Sequence, residues 1–586
     1  MLTFPLYAGW SLHSPLTTAV VAIATILSLA LCLLYLWLRP KPLPGIPYNA
    51  EATKSLWGDL PAWNRYAAQN GELSSWLGEL CLKHRSPVAQ AFIHPFSKPW
   101  ILVADFHEAQ DILMRRTDFE KPQFLIDGLA ALGSFHARYK TNDGQFKVSR
   151  QIRQDLMAPK FLNGYIGPFA HVKGLQIVKL FEAKAELASG RPFHIQKDFA
   201  RVVLDIMLHH AFGDEYEESA TEPQLELLDK LTPSSIPAGS RDEPVNFPEA
   251  RQSLFFEVLH ETAEVMERTT ISPTPRLSHW WWSKQGWYKK IVEERHNVMA
   301  GLLKKAAANV RAGKAQSALE HMMMREQTLA EKQGREPRLV SRNMSDEMFA
   351  DPMTGHHTTS SAMTWVTKYL TGYQHAQKRL REELYATFPQ AVHEKRPPTF
   401  EELRQARLPY LEAVIEESRR LTPFVIVREA AQDLDILGHK VPKGSQCFML
   451  SAGPGITLPS VPVDENKRSP SSKAGKRWGV WDESRDLKLF EPERWLVARE
   501  DGGYDFDATA GPQLGFGMGP RQCWGRRLAQ LAVRTVIALV VWELELLEIP
   551  DELGGYAGLD GISRQPVKAF ARMRKITPYE VKAQSL

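Results

Sequence analysis

The sequence predicts a helix-rich chain tethered by one membrane-spanning helix, and three observations carry that reading. Residues 19–38 contain no charge and only Thr25, Ser28 and Tyr35 as polar interruptions. As a helix, that length crosses about 30 Å of hydrocarbon. Several later segments carry apolar residues at helical spacing, whereas β-like runs are short. The 72 basic and 68 acidic residues leave +4, too even a balance for a nucleic-acid footprint. Length alone suggests about four domains, a prior that large single-domain folds defeat.

The elements follow in order. No Lys or Arg precedes Ala19, while Arg39 and Lys41 follow Leu38 directly. The positive-inside rule therefore places residues 1–18 outside the cytosol and the remainder inside. A cleaved signal peptide, the rival reading, expects a charged start and a shorter apolar core. Residues 39–47 form a stiff proline-rich hinge, and 48–586 form the main domain. The cysteines, Cys32, Cys81, Cys447 and Cys523, build no disulfide framework. Trp100 to Val103 reads as a strand followed by helical spacing. Gly144 to Leu162 reads as a helix of mixed basic and apolar residues. Asp198 to Gly213 reads as a helix with Phe199, Val202, Val203, Ile206, Met207 and Phe212 on its apolar side. Its adjacent His209 and His210 point about 100° apart and cannot chelate one metal. Asp214 to Pro248 is acidic and Pro/Ser-rich, the composition of a mobile connection. Trp280, Trp281, Trp282 and Trp287 fit either packed core or an interfacial anchor.

Ser345 to Leu370 is expected to be a long helix, kinked by Pro352. Thr399 with Glu402 forms a capping box opening another helix. From about Tyr410 a further helix carries Glu417 and Arg420 at i,i+3, so their side chains meet. Glu416 and Arg419 have the same spacing. Asp433 to Gly444 reads as a hairpin, and Ser451 to Gly479, rich in Ser, Pro and Lys, as an exposed insertion.

The most informative stretch is Phe516-Gly517-Met518-Gly519-Pro520-Arg521-Gln522-Cys523-Trp524-Gly525. A Gly/Pro loop delivers a cysteine to the start of a helix marked by Leu528, Leu531, Ala532, Thr535 and Leu539. There the helix dipole favours thiolate over thiol. Buried packing is the commoner fate of a lone cysteine. The whole pattern, F-x-x-G-x-R-x-C-x-G, resembles the haem signature of the cytochrome P450 monooxygenases at every fixed position.

That resemblance implies one large, mostly α-helical domain with small β-sheets, with haem whose axial ligand is Cys523. It makes Arg521 a propionate partner, sets Phe516 beside the sulfur and leaves room at Gly525 for the flat macrocycle. Phe146 and Arg150 resemble the family's Trp and Arg near the propionates, with Lys147 between them. A solvated helix face is the alternative. Arg428 resembles the strand arginine that binds the second propionate, and Phe424 to Val427 are expected to line the pocket roof. Thr354-Gly355-His356-His357-Thr358-Thr359 resembles the oxygen-activation motif. Thr358 is then the proton-relaying hydroxyl over the haem, Gly355 opens the helix wall, and His357 replaces the usual acid. Glu417, Arg420 and Arg494, the last in Phe490-Glu491-Pro492-Glu493-Arg494-Trp495, form the family's buried triad.

The function so implied is insertion of one oxygen atom from O2 into a lipophilic small molecule. Electrons come from NADPH through a separate cytochrome P450 reductase, with cytochrome b5 as a further partner. The setting is the endoplasmic reticulum membrane with the catalytic domain cytosolic. The chain looks most like fungal biosynthetic members that tailor terpenoid or polyketide products. Two alternatives stand beside it: a haem-dependent isomerase, dehydratase or peroxide-driven enzyme, and a non-catalytic membrane-anchored ligand binder.

Overall fold

The computed structural model describes residues 15–70, 74–94, 97–561 and 563–576. The side assigned to residues 1–18 therefore falls almost wholly outside the described residues. Helix α1, Pro15–Leu38, contains a 21-residue stretch with mean hydropathy 2.6, none of it buried against the protein. It is long and apolar enough to cross a bilayer. Its end is tied to the body by Arg39 Nε, which donates to the Thr53 carbonyl at 2.6 Å.

Beyond the hinge the chain is mostly helical with small sheets. One sheet joins β1 (Val88–Ala91), β2 (Trp100–Val103), β3 (Phe119–Glu120), β4 (Ile426–Ala430) and β5 (Gln446–Met449), in the order β1-β2-β5-β4-β3. Only the β2/β5 pair is parallel. Both faces of the sheet are covered by separate apolar clusters, with Ile101 and Val103 on one and Trp100 and Leu102 on the other. The functional elements, in chain order, are α2 (Phe106–Met114), α3 (Gly144–Ile152), α4 (Gly167–Ala188), α5 (Gln196–Phe212), α6 (Leu254–Thr270), α7 (Pro275–Trp282), α8 (Arg342–Gly372), α9 (Pro409–Arg420) and α10 (Arg526–Glu543). The central helix α8 packs on α5, α9 and α10, and α10 packs in turn on α4. Phe199, Val202, Val203, Ile206 and Met207 of α5 are all buried, as their spacing predicts. The Asp433–Gly444 hairpin is present, turning through Leu437 and Gly438 at φ 51° and 82°. The capping box at Thr399 and Glu402 is formed.

Four expectations need correction. The helix beginning at Gly144 stops at Ile152 and passes into a 3-10 helix, Gln154–Met157, which ends where Pro159 forces the extended conformation on Ala158 (ψ 142°). Residues 214–248 are not merely a connection: they include the helix Glu222–Asp229, and Val245, 3% exposed, bridges to Phe193. The 451–479 stretch is not exposed throughout, since Ser451, Ala452, Ile456, Arg468 and Ser472 are buried. Arg468, Ser469 and Ser471 find partners on Asp105 and Asp111 of α2 and its cap rather than in water, while Asp464, Lys467, Lys473 and Lys476 are exposed. Finally, Gly355 faces α5. A Cβ there would lie 2.6 Å from Met207 Sδ, so this glycine lets two helices cross closely. The helix itself runs unbroken through Pro352.

The Trp cluster divides. Trp282 packs against the core, whereas Trp280 and Trp281 are more than half exposed beside exposed Leu277 and Trp287. Packed core thus accounts for one of these four indoles.

Gly355→Val should overpack the α5/α8 crossing and cost about 1–3 kcal/mol. Thermal unfolding measures this, and Met207→Ala added to Gly355→Val should recover part of the loss. An unchanged Tm in the single variant contradicts the crossing described here.

Candidate active site

The cysteine loop is shaped by two left-handed glycines, Gly517 (φ 65°) and Gly519 (φ 69°). Gly517 N–H donates to the Leu514 carbonyl at 2.7 Å and Cys523 N–H to the Phe516 carbonyl at 2.7 Å, closing the turn. Cys523 is accessible to solvent, yet densely surrounded by protein atoms. The surrounding protein matter desolvates its charged form. Burial raises the thiol pKa. The Gly525 N–H, Arg419 and Arg526 oppose it without winning. Dipole stabilisation alone therefore does not make a thiolate here, since α10 begins only at Arg526. A metal ligated by the sulfur deprotonates it outright. Nothing lies within 4 Å of a Cβ built on Gly525. The Phe516 ring sits under the Arg419 guanidinium at 4.3 Å.

Beside the loop lies a group of cations. Arg521 Nε donates to Thr141 Oγ1 at 2.9 Å, its other arm reaches the Tyr139 carbonyl, and its guanidinium stacks on Phe146 at 3.9 Å. Arg428 Nη1 finds only the Val427 carbonyl, at 2.9 Å. Lys121 Nζ donates to the Ala137 carbonyl. Among the described residues, none of the three has a carboxylate at ion-pair distance. Burial first, then mutual repulsion, pulls Lys121 down to about 7. Burial and Arg521 bring Arg428 to about 10, and burial brings Arg521 itself to about 10. Cations held this way require an anion, and the paired carboxylates of haem match that demand. Lys121 belongs to no spacing motif, so sequence reading missed it. Arg150 lies over the Trp524 ring at 4.3 Å, next to Cys523. Lys147, on the outward face of α3, is exposed and is not brought to this group.

On α8, Thr358 Oγ1 donates to the Thr354 carbonyl at 3.2 Å. The Gln565 amide donates to His357 Nδ1 at 2.9 Å, and the Gln196 amide donates to Gln565 at 2.6 Å. His357 accepts at Nδ1, so its own proton sits on Nε2. Burial lowers its pKa, while Glu267 opposes and His260 reinforces that shift. His356 instead donates from Nδ1 to the Pro352 carbonyl at 2.8 Å. An unanticipated buried network lies on the same helix. Arg153 binds Glu347 at 2.7 Å and Asp351 at 2.6 Å, and His136 meets Glu347 at 2.9 Å. Phe424, 40% exposed, is bonded to Ser451, while Ile426 and Val427 pack into the two sheet clusters.

Glu417 is completely buried and accepts from Arg420 Nη2 (2.7 Å) and Nε (2.8 Å), Arg494 Nε (2.9 Å), Trp495 Nε1 (2.9 Å) and Glu491 N–H (3.0 Å). Its pKa is lowered because Arg420, hydrogen bonds and Arg494 together outweigh burial. Glu416 and Arg419 are also paired, so the neighbouring spacing is occupied too. Arg419, however, faces the cysteine loop, and burial pulls it to about 9.

Replacing Glu417 by Gln should destabilise the protein by about 3–5 kcal/mol, since two buried guanidiniums lose their counter-charge. Glu416→Gln should cost less, because that pair is partly exposed. Equal, small losses in both variants would contradict the hub role of Glu417.

The chain compares with known proteins as follows. The cytochrome P450 family model matches residues 142–453 and 485–555. Cytochrome P450 monooxygenase xilC of Penicillium crustosum is 34% identical over 568 residues, covering 95% of this chain and 96% of the relative. Cytochrome P450 monooxygenase TRI13 of Fusarium sporotrichioides is 35% identical over 577 residues, covering 94% and 98%. A crystal structure of a cytochrome P450, CYP102L1, superposes with TM-score 0.63 at 16% identity, covering 92% of this chain and all of that one. A loop built around Cys523, a helical body with small sheets and full-length similarity to fungal enzymes converge: the chain belongs to the cytochrome P450 family of monooxygenases.

Proposed function

We propose that this protein is a membrane-anchored haem-thiolate monooxygenase of fungal secondary metabolism. It inserts one oxygen atom from O2 into a lipophilic terpenoid or polyketide intermediate, with electrons from NADPH through a reductase. The observation that carries this reading is the pairing of Cys523 with an anion-demanding group of Lys121, Arg428 and Arg521. Full-length likeness to fungal P450 monooxygenases supports the biosynthetic setting.

In this reading Cys523 would hold the iron, and the three cations, with Arg150, would hold the propionates. Haem supplies the oxygen-activating and oxygen-inserting chemistry when bound. The protein's own task is to hold substrate and manage protons. Thr358 offers a hydroxyl on the central helix, and His357 offers an Nε2 proton whose orientation the Gln565 amide holds. With its pKa below the ordinary 6.5, His357 is mostly neutral at pH 7. Its cationic, better-donating form grows as pH falls through that lowered pKa. The tether to Gln565 rather than to Thr358 also favours a second reading, a haem-dependent isomerase or peroxide-driven enzyme. Cytochrome b5 remains a candidate additional electron donor.

Helix α1 anchors the chain in the endoplasmic reticulum membrane, with the body in the cytosol. Exposed Trp280, Trp281 and Leu277 rest at the interface, where indoles are favoured.

Incubation of the full-length protein with a candidate substrate under labelled O2 tests the function. One labelled atom should enter the product, only with NADPH and reductase present. Label-free product or reductase-independent turnover would move the assignment to the second reading. His357→Ala should lower product formed per NADPH by about 100-fold at most, whereas His357→Asp should retain coupling. The wild type should couple better as pH drops below 6.5. Equal coupling in the Ala variant removes His357 from the relay. Deleting residues 1–39 should release much of the protein from membranes while sparing haem binding. Trp280→Ser with Trp281→Ser should release most of the remainder.

A further inference from the structure

Residues 454–484 lie between the two stretches that match the family model, so the family pattern places no demand on them. Both ends of this segment are held by one guanidinium nitrogen: Arg420 Nη1 donates to the Ile456 carbonyl at 2.6 Å and to the Leu487 carbonyl at 2.8 Å. Between these points the chain folds back over α2. Arg468 is buried and grips Asp105 through Nη1–Oδ1 at 2.6 Å and Nη2–Oδ2 at 3.1 Å. The Ser469 and Ser471 hydroxyls each donate to Asp111 Oδ2 at 2.8 Å. His107 Nε2 donates to the Ser472 carbonyl at 2.8 Å, and Trp478 packs on Phe106 with ring centroids 5.4 Å apart. Every residue of α2 from His107 to Leu113 is buried as a result.

The other end of α2 meets the cysteine loop. A Cβ on Gly519 would collide with the Leu113 carbonyl oxygen and lie 3.0 Å from Met114 Cα. Leu514 and Met518 of the loop share an apolar cluster with Ile112 and Leu113, against which Val463 and Trp478 also pack. Helix α2 thus has the segment on one side and the haem-ligand loop on the other.

The electrostatics make Arg468 the decisive member. Asp105, Glu108 and Asp111 are three carboxylates on or capping one nine-residue helix, and Glu108 is fully buried. Arg116 and Arg468 are its cations, each at 3.8 Å. Asp105 Oδ1 also caps α2 by accepting the Glu108 N–H at 2.7 Å, so the group that Arg468 grips is the one that starts the helix. Arg115 still pairs with Asp111 at 2.6 Å, so among the described residues removing Arg468 takes the guanidinium from the capping Asp105 and leaves buried Glu108 with Arg116.

We propose that residues 454–484 form a clamp that sets the position of the cysteine loop through α2, with Arg468 as its positioning residue. The proposal rests on the assignment of Cys523 to haem iron, but its first readout does not depend on that assignment.

Hydrogen exchange on the full-length protein tests it, comparing wild type with Arg468→Ala, Arg468→Lys and the double variant Ser469→Ala/Ser471→Ala. In Arg468→Ala, amides of 106–116 and 514–523 should exchange about tenfold faster, the ratio expected when one charge-assisted hydrogen bond is lost. Those of 409–420 should be unchanged. The serine variant should show the same pattern more weakly, and serves if Arg468→Ala fails to fold. Arg468→Lys should restore most of the protection. In the reduced, carbon monoxide-bound protein, Arg468→Ala should convert part of the thiolate-type band to the neutral-thiol type, with rescue by Lys. Faster exchange confined to 454–484, with the cysteine loop unmoved, overturns the clamp. So does a uniform rise over the whole chain in both the Arg468→Ala and the serine variants. Failure of the haem assignment would look different, with no thiolate-type band in the wild type.

Discussion

One buried carboxylate carries more of this structure than any other group. Glu417 is out of contact with water and accepts five N–H donors from Arg420, Arg494, Trp495 and the Glu491 backbone. A charge so placed is tolerable only while its partners stay in position, and the partners are equally dependent on it. Arg420 then spends its remaining nitrogen on the Ile456 and Leu487 carbonyls. Helix α9, the base of the 454–484 segment and the approach to the cysteine loop are thereby one rigid unit. Arg419, on the next residue of α9, lies on Phe516 of that loop.

Charge pairing separates scaffold from site. Arg153, Arg295, Arg420 and Arg468 are buried cations, and each has a carboxylate within 3 Å. Lys121, Arg428 and Arg521 are half-buried, and among the described residues they donate to carbonyl and hydroxyl oxygens without a carboxylate at ion-pair distance. Their depressed pKa values measure how poorly the protein alone satisfies them. Such a group is stable only in the presence of an anion. Its place beside Cys523 supports the proposed haem site, whose carboxylates would answer these cations.

How much of this was legible in the sequence depended on distance along the chain. Interactions close along the chain were readable: the Thr399 capping box, the Glu417–Arg420 spacing, the glycine turn before Cys523 and the Asp433–Gly444 hairpin. Each has a local physical cause that spacing records. Contacts between remote segments were not, apart from the Arg494–Glu417 pair that the family resemblance implied. Gly355 was read as an opening towards haem, but it serves the α5 crossing, and no local signal names Met207 as its neighbour. The Ser, Pro and Lys content of 451–479 suggested solvent, yet its hydroxyls and Arg468 answer carboxylates that lie some 360 residues earlier. Lys121 was invisible because a lone lysine after a strand acquires meaning only once Arg428 and Arg521 stand beside it. Composition left the Trp cluster open between core and interface, because the exposure of Trp280 and Trp281 follows from the helix α7 face rather than from indole hydrophobicity.

The central claim is that Cys523 is the sulfur ligand of haem iron. The reduced full-length protein under carbon monoxide tests it most directly. A strongly red-shifted Soret band of thiolate ligation, lost together with haem in Cys523→Ala, is the predicted result. A wild-type spectrum of the histidine type alone, or a thiolate band surviving in Cys523→Ala, would contradict it.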